Sequence, residues 1–74
     1  MPRDQKTDNH LWELAQRSAA AAGLIPRTSW HDASTGTITG LFARTGSKRI
    51  RGKVVIRGGM LITAEGEMRA LLHP

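Results

Sequence analysis

Between about residue 9 and residue 22, small and apolar positions recur with the 3.6-residue period of an α-helix. Residues 7–9, Thr-Asp-Asn, stand just before this stretch, and each side chain can accept a hydrogen bond from an unpaired amide of a first helical turn. We therefore predict a helix that begins among these three residues and ends near Ala22, preceded by a frayed arm at residues 1–6. The predicted buried face consists of Leu11, Leu14, Ala15, Ser18 and Ala22, with Trp12 and Ala19 beside it.

The helix is expected to stop at Gly23, because glycine readily adopts the left-handed conformation that closes many helices. Pro26 follows three residues later and prevents the helix from resuming. Residues 27–36 cluster Ser, Thr, Asp and Gly without sustained alternation, so we interpret them as a loop. Trp30, within this loop, is then either a cover over the core or an exposed stacking or interface anchor.

The second half of the chain alternates apolar and polar positions with the two-residue period that is typical of β-strands. We predict a first strand at residues 37–44, a turn at residues 45–48 and a second strand at residues 49–57. Gly58-Gly59 suits a two-residue type I′ turn, in which both central residues need positive φ. This turn returns the chain as a third strand at residues 60–64.

Side chains on these strands divide into two faces. On the first strand, Gly40 is predicted to be a weak point or a bulge, and Phe42 is predicted to be buried. The two faces of the second strand are Ile50, Gly52, Val54 and Ile56 on the apolar side, and Arg49, Arg51, Lys53, Val55 and Arg57 on the other. The tight turn is expected to pair Arg57 with Met60, Ile56 with Leu61 and Val55 with Ile62.

Together these elements predict an α+β fold in which the N-terminal helix packs on the apolar face of a three-stranded antiparallel β-meander. Residues 67–73 are expected to form a short C-terminal helical turn with Met68, Leu71 and Leu72 pointing inward. The 74 residues form one small domain with only fifteen Leu, Ile, Val and Phe side chains. Because such a core is thin, we expect a homodimer that shares its sheet or helix.

Positive charge is concentrated in the predicted strands. The chain carries a net charge of +5, and no acidic residue occurs between Asp32 and Glu65. Cations at every second position of a strand lie about 7 Å apart, a spacing that suits successive phosphates of a nucleic acid. We therefore predict a nucleic-acid-binding accessory or regulatory protein that contacts the backbone of DNA or RNA through a cationic β-hairpin, a ribbon narrow enough to enter a duplex major groove. The predicted contact residues are Arg44, Lys48, Arg49, Arg51, Lys53 and Arg57.

Two other interpretations of the charge stay open. Cations on exposed strands can form a solvated face that prevents edge-to-edge aggregation. The cationic face also holds large apolar side chains, which fits a protein-interaction module, a dimeric adaptor or inhibitor that binds an acidic protein partner. The predicted anchors of such an interface are Trp30, Val55, Met60 and Ile62.

The sequence offers little material for catalysis. His31 and Asp32 are adjacent and point in different directions on an extended chain, so they could work with His10 or His73 only through the tertiary fold. Residues 40–48 share glycines with a phosphate-binding loop, but the spacing is one residue too long and the lysine follows the serine. We predict no enzymatic activity, no catalytic or metal-binding residues and no cofactor. A small ribonuclease-like toxin that uses His31 is the second alternative to the nucleic-acid-binding function.

Cysteine is absent from the sequence, which excludes disulfides and thiolate metal sites and favours a reducing cytoplasm. No apolar run approaches the roughly 20 residues that cross a bilayer, and the polar start is not that of a signal peptide. We therefore expect a cytoplasmic protein with no membrane partner.

Overall fold

The computed structural model describes residues 3–72. This range contains two helices and four strands: α1 (Arg3–Ala21), β1 (Leu24–Asp32), β2 (Thr37–Arg44), β3 (Ile50–Arg57), β4 (Met60–Ala64) and α2 (Glu67–Leu72). The strands form one antiparallel sheet in the order β1-β2-β3-β4, so each strand pairs with the next one along the chain. The predicted α+β class and the meander are confirmed, but the described sheet has four strands and not three.

Both helices lie on the same face of the sheet. A Cβ atom added to Gly40 of β2 would lie 2.3 Å from the Trp12 ring of α1, and one added to Gly52 of β3 would lie 2.4 Å from Met68 of α2. Gly40 pairs with Val54, which is two residues from Gly52, so the two glycines face the same way. The protein therefore has a helical layer and a sheet layer, with a shortest dimension of 15 Å.

The core lies between these two layers and depends on small residues at the helix contact. Ala15 and Ala19 of α1 are fully buried, which lets the helix approach the sheet closely. The largest fully buried side chains are Phe42, Leu24, Ile56, Met68 and Val54. Each of these side chains stabilises the fold by roughly 1.5–3 kcal/mol when it leaves water. Because so few large side chains are fully buried, the core is thin.

Gly40 is not the bulge that the sequence predicts. It pairs regularly with Ser29 and Val54, and its missing side chain leaves the space that Trp12 occupies. The Trp12 ring packs on Phe42, with 5.6 Å between ring centroids and 47° between their planes. The predicted burial of Phe42 is confirmed, and Trp12 is half-buried against the core as expected.

Helix α1 begins at Arg3, so the cap predicted at residues 7–9 is wrong. Residues 3–6, assigned to a frayed arm by the sequence, are helical, whereas Met1 and Pro2 lie outside the described residues. Asp8 is only 6% exposed, and its Oδ1 accepts a hydrogen bond from the backbone amide of Gly59 in the β3–β4 turn. Asp8, which the sequence suggested as a helix cap, therefore accepts a hydrogen bond from a residue 51 positions later in the chain.

The sequence predicted the C-terminal end of α1 more accurately than it predicted the buried face of this helix. Gly23 has a φ of 79°, and its amide donates to the Ala20 carbonyl at 3.0 Å, which confirms the left-handed termination. Leu14, however, is 42% exposed and not part of the buried face. The sheet contact follows Asp8, Ala15 and Ala19, so the packed face is turned away from Leu14.

Strand β1 replaces most of the loop predicted at residues 27–36. Every residue of this strand except Leu24 is exposed, so its sequence shows no apolar alternation. Pro26 is tolerated because β1 is an edge strand, and the pairing skips Arg27 as the extra residue of a bulge. Trp30 is therefore a strand residue, paired with Thr39.

The β3–β4 hairpin has the predicted turn. Gly58 and Gly59 have φ values of 59° and 78°, as a type I′ turn requires. The predicted pairs of Arg57 with Met60 and of Ile56 with Leu61 are confirmed. Val55 pairs with Thr63 and not with Ile62, because Ile62 is the extra residue of a bulge.

A third register shift changes the faces of β3. The strand begins at Ile50, one residue later than predicted, and Arg51 is the extra residue of a bulge between the pairs Phe42–Gly52 and Ala43–Ile50. Ile50 thereby leaves the core face to which the alternation assigned it, and it is 43% exposed. The bulge moves every position before Gly52 out of the simple two-residue phase.

Helix α2 confirms the predicted C-terminal helical turn. Met68 is fully buried, and Leu71 and Leu72 are half-buried against the core. The predicted element extends to His73, which lies outside the described residues. Neither α1 nor α2 combines the length and the apolar character that a bilayer-spanning helix needs.

Replacing Asp8 with alanine is expected to lower the free energy of unfolding by about 1.5–3 kcal/mol, since a largely buried hydrogen bond to a charged group is lost. Asp8→Asn keeps an acceptor oxygen and should lose less. Urea denaturation followed by circular dichroism measures both, with Glu13→Ala on the exposed side of α1 as the control. Equal midpoints for Asp8→Ala and the native protein would show that the Gly59 contact does not stabilise the fold.

Candidate functional site

The sheet face that points away from the helices is formed by Thr37, Thr39, Leu41 and Ala43 of β2 and by their cross-strand partners. We call it the open face. Residues that pair across strands share a face, and these four alternate with Gly40 and Phe42 of the core side. Within residues 3–72, neither helix covers the open face, because both pack on the other side of the sheet.

One row of this face crosses all four strands. Trp30 of β1 pairs with Thr39, Thr39 with Val55, and Val55 with Thr63 of β4. Trp30 is 48% exposed, although it is a large aromatic residue in a regular strand. A flat aromatic side chain is thus presented to solvent beside the buried Thr39 and the half-buried Val55.

Apolar exposure in the described chain is concentrated on the sheet. Five of the six exposed large hydrophobic side chains belong to strands, and the sixth is Leu14 on α1. Ile25 and Ile50 both pair with Ala43, while Met60 pairs with Arg57 in the row that includes Thr37. The five, with exposed fractions between 42% and 67%, are Ile25, Trp30, Ile50, Met60 and Ile62. These side chains are spread over several rows of the sheet among polar and charged residues. Exposed apolar side chains of this size are common in interaction sites.

The open face also carries two of the predicted cations. Lys53 pairs with Leu41 and Arg57 pairs with Thr37, so both side chains lie on this face. They stand on either side of Val55 and are about 13 Å apart along the strand. Arg57 is exposed and Lys53 is half-buried, as expected for a long side chain that lies along apolar neighbours.

The other predicted cations lie at one end of the sheet. Lys48 and Arg49 belong to the turn between β2 and β3, and Arg44 is the last residue of β2. The turn is held by the Ser47 amide, which donates to the Arg44 carbonyl at 3.0 Å, and by the Arg49 amide, which donates to Ser47 Oγ at 3.2 Å. All three cations are exposed. Arg51, in the bulge, lies between this turn group and Lys53.

The expected even row of five side chains on one strand face is therefore not formed. Arg49 is outside β3, and the bulge at Arg51 interrupts the alternation. Strand β3 is an interior strand of a four-stranded sheet, so its cations do not lie on an isolated two-stranded ribbon. Four strands span at least about 14 Å between their outer backbones, before side chains are added, which exceeds the roughly 12 Å width of a major groove. The open face cannot enter that groove, although the β2–β3 turn is narrow enough to do so.

The residues considered for catalysis are not assembled into a pair. His31 pairs with Ile38 and Asp32 with Thr37, so the two adjacent side chains lie on opposite faces. Asp32 Oδ1 accepts hydrogen bonds from the Ser34 amide at 3.0 Å and from Ser34 Oγ at 2.6 Å. The Ser34 hydrogen bonds lower the pKa of the Asp32 carboxyl, which suits an anion that orders the β1–β2 turn.

His10 is exposed on α1, His31 is exposed on β1, and His73 lies outside the described residues. Among residues 3–72, no three His, Asp or Glu side chains come together as they would in a metal site.

Of the predicted interface anchors, the structure brings Trp30, Val55 and Met60 onto the open face, with Ile62 beside Val55 in the bulge. The sequence missed Ile25 and Ile50 as members of this surface. The apolar pair Leu24-Ile25 was hidden by the glycine and the proline around it, and Ile50 was assigned to the wrong side. Thr28 and Trp30 were the available signal for β1, since Thr and Trp favour strands.

Comparison of this chain with protein-family models, with curated proteins and with solved structures found no match. Its function is therefore inferred from geometry and charge.

Proposed function

We propose that this protein is a small nucleic-acid-binding accessory or regulatory factor that contacts the phosphate backbone through the cations of β3 and of the β2–β3 turn. The observation that carries the proposal is the segregation of charge. Six cations fall in 14 residues, with no acidic residue between Asp32 and Glu65. Lys53 and Arg57 lie on the open face, and the turn group adjoins one end of the same sheet. A surface on which positive charge is concentrated in this way attracts polyanions.

A nucleic acid fits this surface better than a small anion does. The cations are spread along the strand and the turn, and they do not converge on one point, so they match a charged chain and not a single phosphate. Binding that neutralises phosphates releases counterions, and log K then falls with log salt by about 0.9 per contact on a duplex and about 0.7 on a single strand. With about five contacts, we expect a slope between roughly −3.5 and −4.5.

Fluorescence anisotropy of labelled duplex DNA, single-stranded DNA and RNA, titrated with the protein across salt concentrations, tests the proposal. Replacing both Arg51 and Lys53 with glutamate should weaken binding about tenfold or more and reduce the salt slope by roughly two, since two phosphate contacts are lost. The matched control is Arg17→Glu with Arg69→Glu, which makes the same change in net charge on exposed positions of α1 and α2.

Equal loss of affinity in both double variants would mean that only net charge matters and that the basic strand is not a site. Absence of binding to all three nucleic acids at low salt would contradict the proposal itself.

A protein-interaction module is the second candidate, favoured by the exposed apolar side chains of the open face. Trp30, Met60 and Ile62 are 48%, 67% and 53% exposed, which is unusual among cations that contact only phosphates. An acidic protein partner could bury these anchors while pairing with Lys53 and Arg57. This candidate predicts that binding to an acidic polypeptide exceeds binding to any nucleic acid at the same salt concentration.

A further inference from the structure

Trp30 has a location that phosphate contact alone does not explain. It is the aromatic residue of the open face, it is 48% exposed, and its row crosses the whole sheet. The other two aromatics, Trp12 and Phe42, pack on each other at the helix side. An exposed indole on a flat sheet face is the side chain on which an unpaired base can stack.

The cations of the open face stand at matching distances from Trp30. Val55 lies in the same row, two strands away, at about 10 Å. Lys53 and Arg57 are each two residues from Val55, so both Cα atoms lie about 12 Å from that of Trp30, one towards each end of the sheet. Long basic side chains at these positions can reach the phosphates on either side of a nucleotide whose base rests on Trp30.

Charge also sets which way such a nucleotide faces. Asp32 lies on β1, two residues from Trp30 and on the same face, so phosphates are disfavoured beside Asp32, while the cation of this strand, Arg27, lies further away in a bulge. The cations on β3 favour them two strands away. A nucleic acid whose bases point towards β1 and whose phosphates run along β3 keeps the phosphates near the cations and away from Asp32.

We propose that the open face binds single-stranded nucleic acid, with one base stacked on Trp30 and flanking phosphates held by Lys53 and Arg57. This inference rests on the proposed function and names its substrate class. A duplex keeps its bases stacked inside, so its base faces cannot reach Trp30, and its major groove is narrower than the sheet. Only an unpaired strand can lie flat on this face with a base on the indole.

A second copy of the chain suits the open face less well. Face-to-face pairing about a two-fold axis would place Lys53 and Arg57 of both copies in one desolvated layer, with Asp32 as the one acidic side chain from each open face. This crowding of like charges makes the open face an unfavourable place for the contact of the predicted homodimer.

The test uses the full 74-residue chain and anisotropy of labelled oligo(dT) of 12 nucleotides, with a 12-base-pair duplex and labelled poly-glutamate as comparison ligands. Trp30→Ala should weaken oligo(dT) binding about 5- to 100-fold, because one stacked base is lost, and should leave the salt slope unchanged. Trp30→Phe keeps an aromatic ring and should retain most of the affinity. Duplex binding should be weaker in the native protein and insensitive to Trp30→Ala. Circular dichroism verifies that both variants are folded.

A spectroscopic measurement reports stacking directly. In a Trp12→Phe background, the intrinsic fluorescence of the protein comes from Trp30 alone. Oligo(dT) should quench this fluorescence in proportion to the bound fraction, including at salt concentrations at which binding is weak.

The possible outcomes separate the two proposals. Oligo(dT) binding that is the same with and without Trp30, or a preference for the duplex, overturns the single-strand inference and leaves the proposed function standing. Failure to bind either nucleic acid at low salt contradicts the proposed function. Poly-glutamate binding that depends on Trp30, with no oligo(dT) binding, overturns both proposals and identifies an acidic polypeptide site.

Discussion

Replacing Phe42 with alanine is expected to leave the protein largely unfolded at 25 °C. Phe42 is fully buried, contacts the Trp12 ring and lies in the core with Leu24 and Val54. Truncating a buried phenylalanine costs about 3–5 kcal/mol through lost transfer energy and the cavity that remains. A core of this size gives a domain only about 3–5 kcal/mol in total, so the substitution removes most of the stability.

Thermal and urea unfolding, followed by circular dichroism, measure this loss. Phe42→Leu retains most of the buried volume and should remain folded with a lower midpoint. Leu41→Ala is the neighbouring control, because Leu41 is half-buried on the open face and its loss should cost less. A cooperative Phe42→Ala transition with the native midpoint would show that the helix and the sheet do not depend on this contact.

Gly40→Ala is expected to cost about 1–3 kcal/mol, because the added methyl group would lie 2.3 Å from Cη2 and Cζ3 of Trp12. The rigid indole must move as a unit, which disturbs its packing on Phe42. Gly52→Ala is the parallel variant at the second helix contact, because its added methyl group would lie 2.4 Å from Cγ of the fully buried Met68. We expect it also to lower the free energy of unfolding, without the disturbance of the Trp12–Phe42 packing.

A double-mutant cycle with Trp12→Leu isolates the cause of this loss. In the Trp12→Leu background the indole is absent, so Gly40→Ala should cost little, and the coupling energy between the two sites should be at least about 1 kcal/mol. An unchanged Gly40→Ala cost in both backgrounds would mean that the strand backbone itself, and not the indole, requires glycine at this position.

The open face and the core are consequences of the same arrangement. Gly40 and Gly52 admit Trp12 and Met68 on one side of the sheet, so both helices use that side and leave the other to solvent. An uncovered sheet face with exposed apolar side chains lies beside the cations of β3 and of the β2–β3 turn, and from this feature we infer binding of a nucleic acid.

The sequence determined the features that depend on neighbouring residues. Gly23 ends α1 and Gly58-Gly59 forms the β3–β4 turn, because each needs positive φ and only glycine adopts it without strain. The bounds of β2 and β4 followed from the alternation of apolar and polar residues. The concentration of cations before residue 58 is a property of composition, so it could be identified without a fold.

The tertiary structure alone decided β1, the bulges and the identity of the open face. Strand β1 is exposed along almost its whole length, so its order comes from pairing with β2 and not from a pattern of its own. The bulges at Arg51 and Ile62 shift register by one residue, which reverses or displaces every side chain that simple alternation assigns beyond them. Trp30 and Lys53 share a face only because of pairings between strands that are distant in sequence, and local pattern carries no information about such contacts.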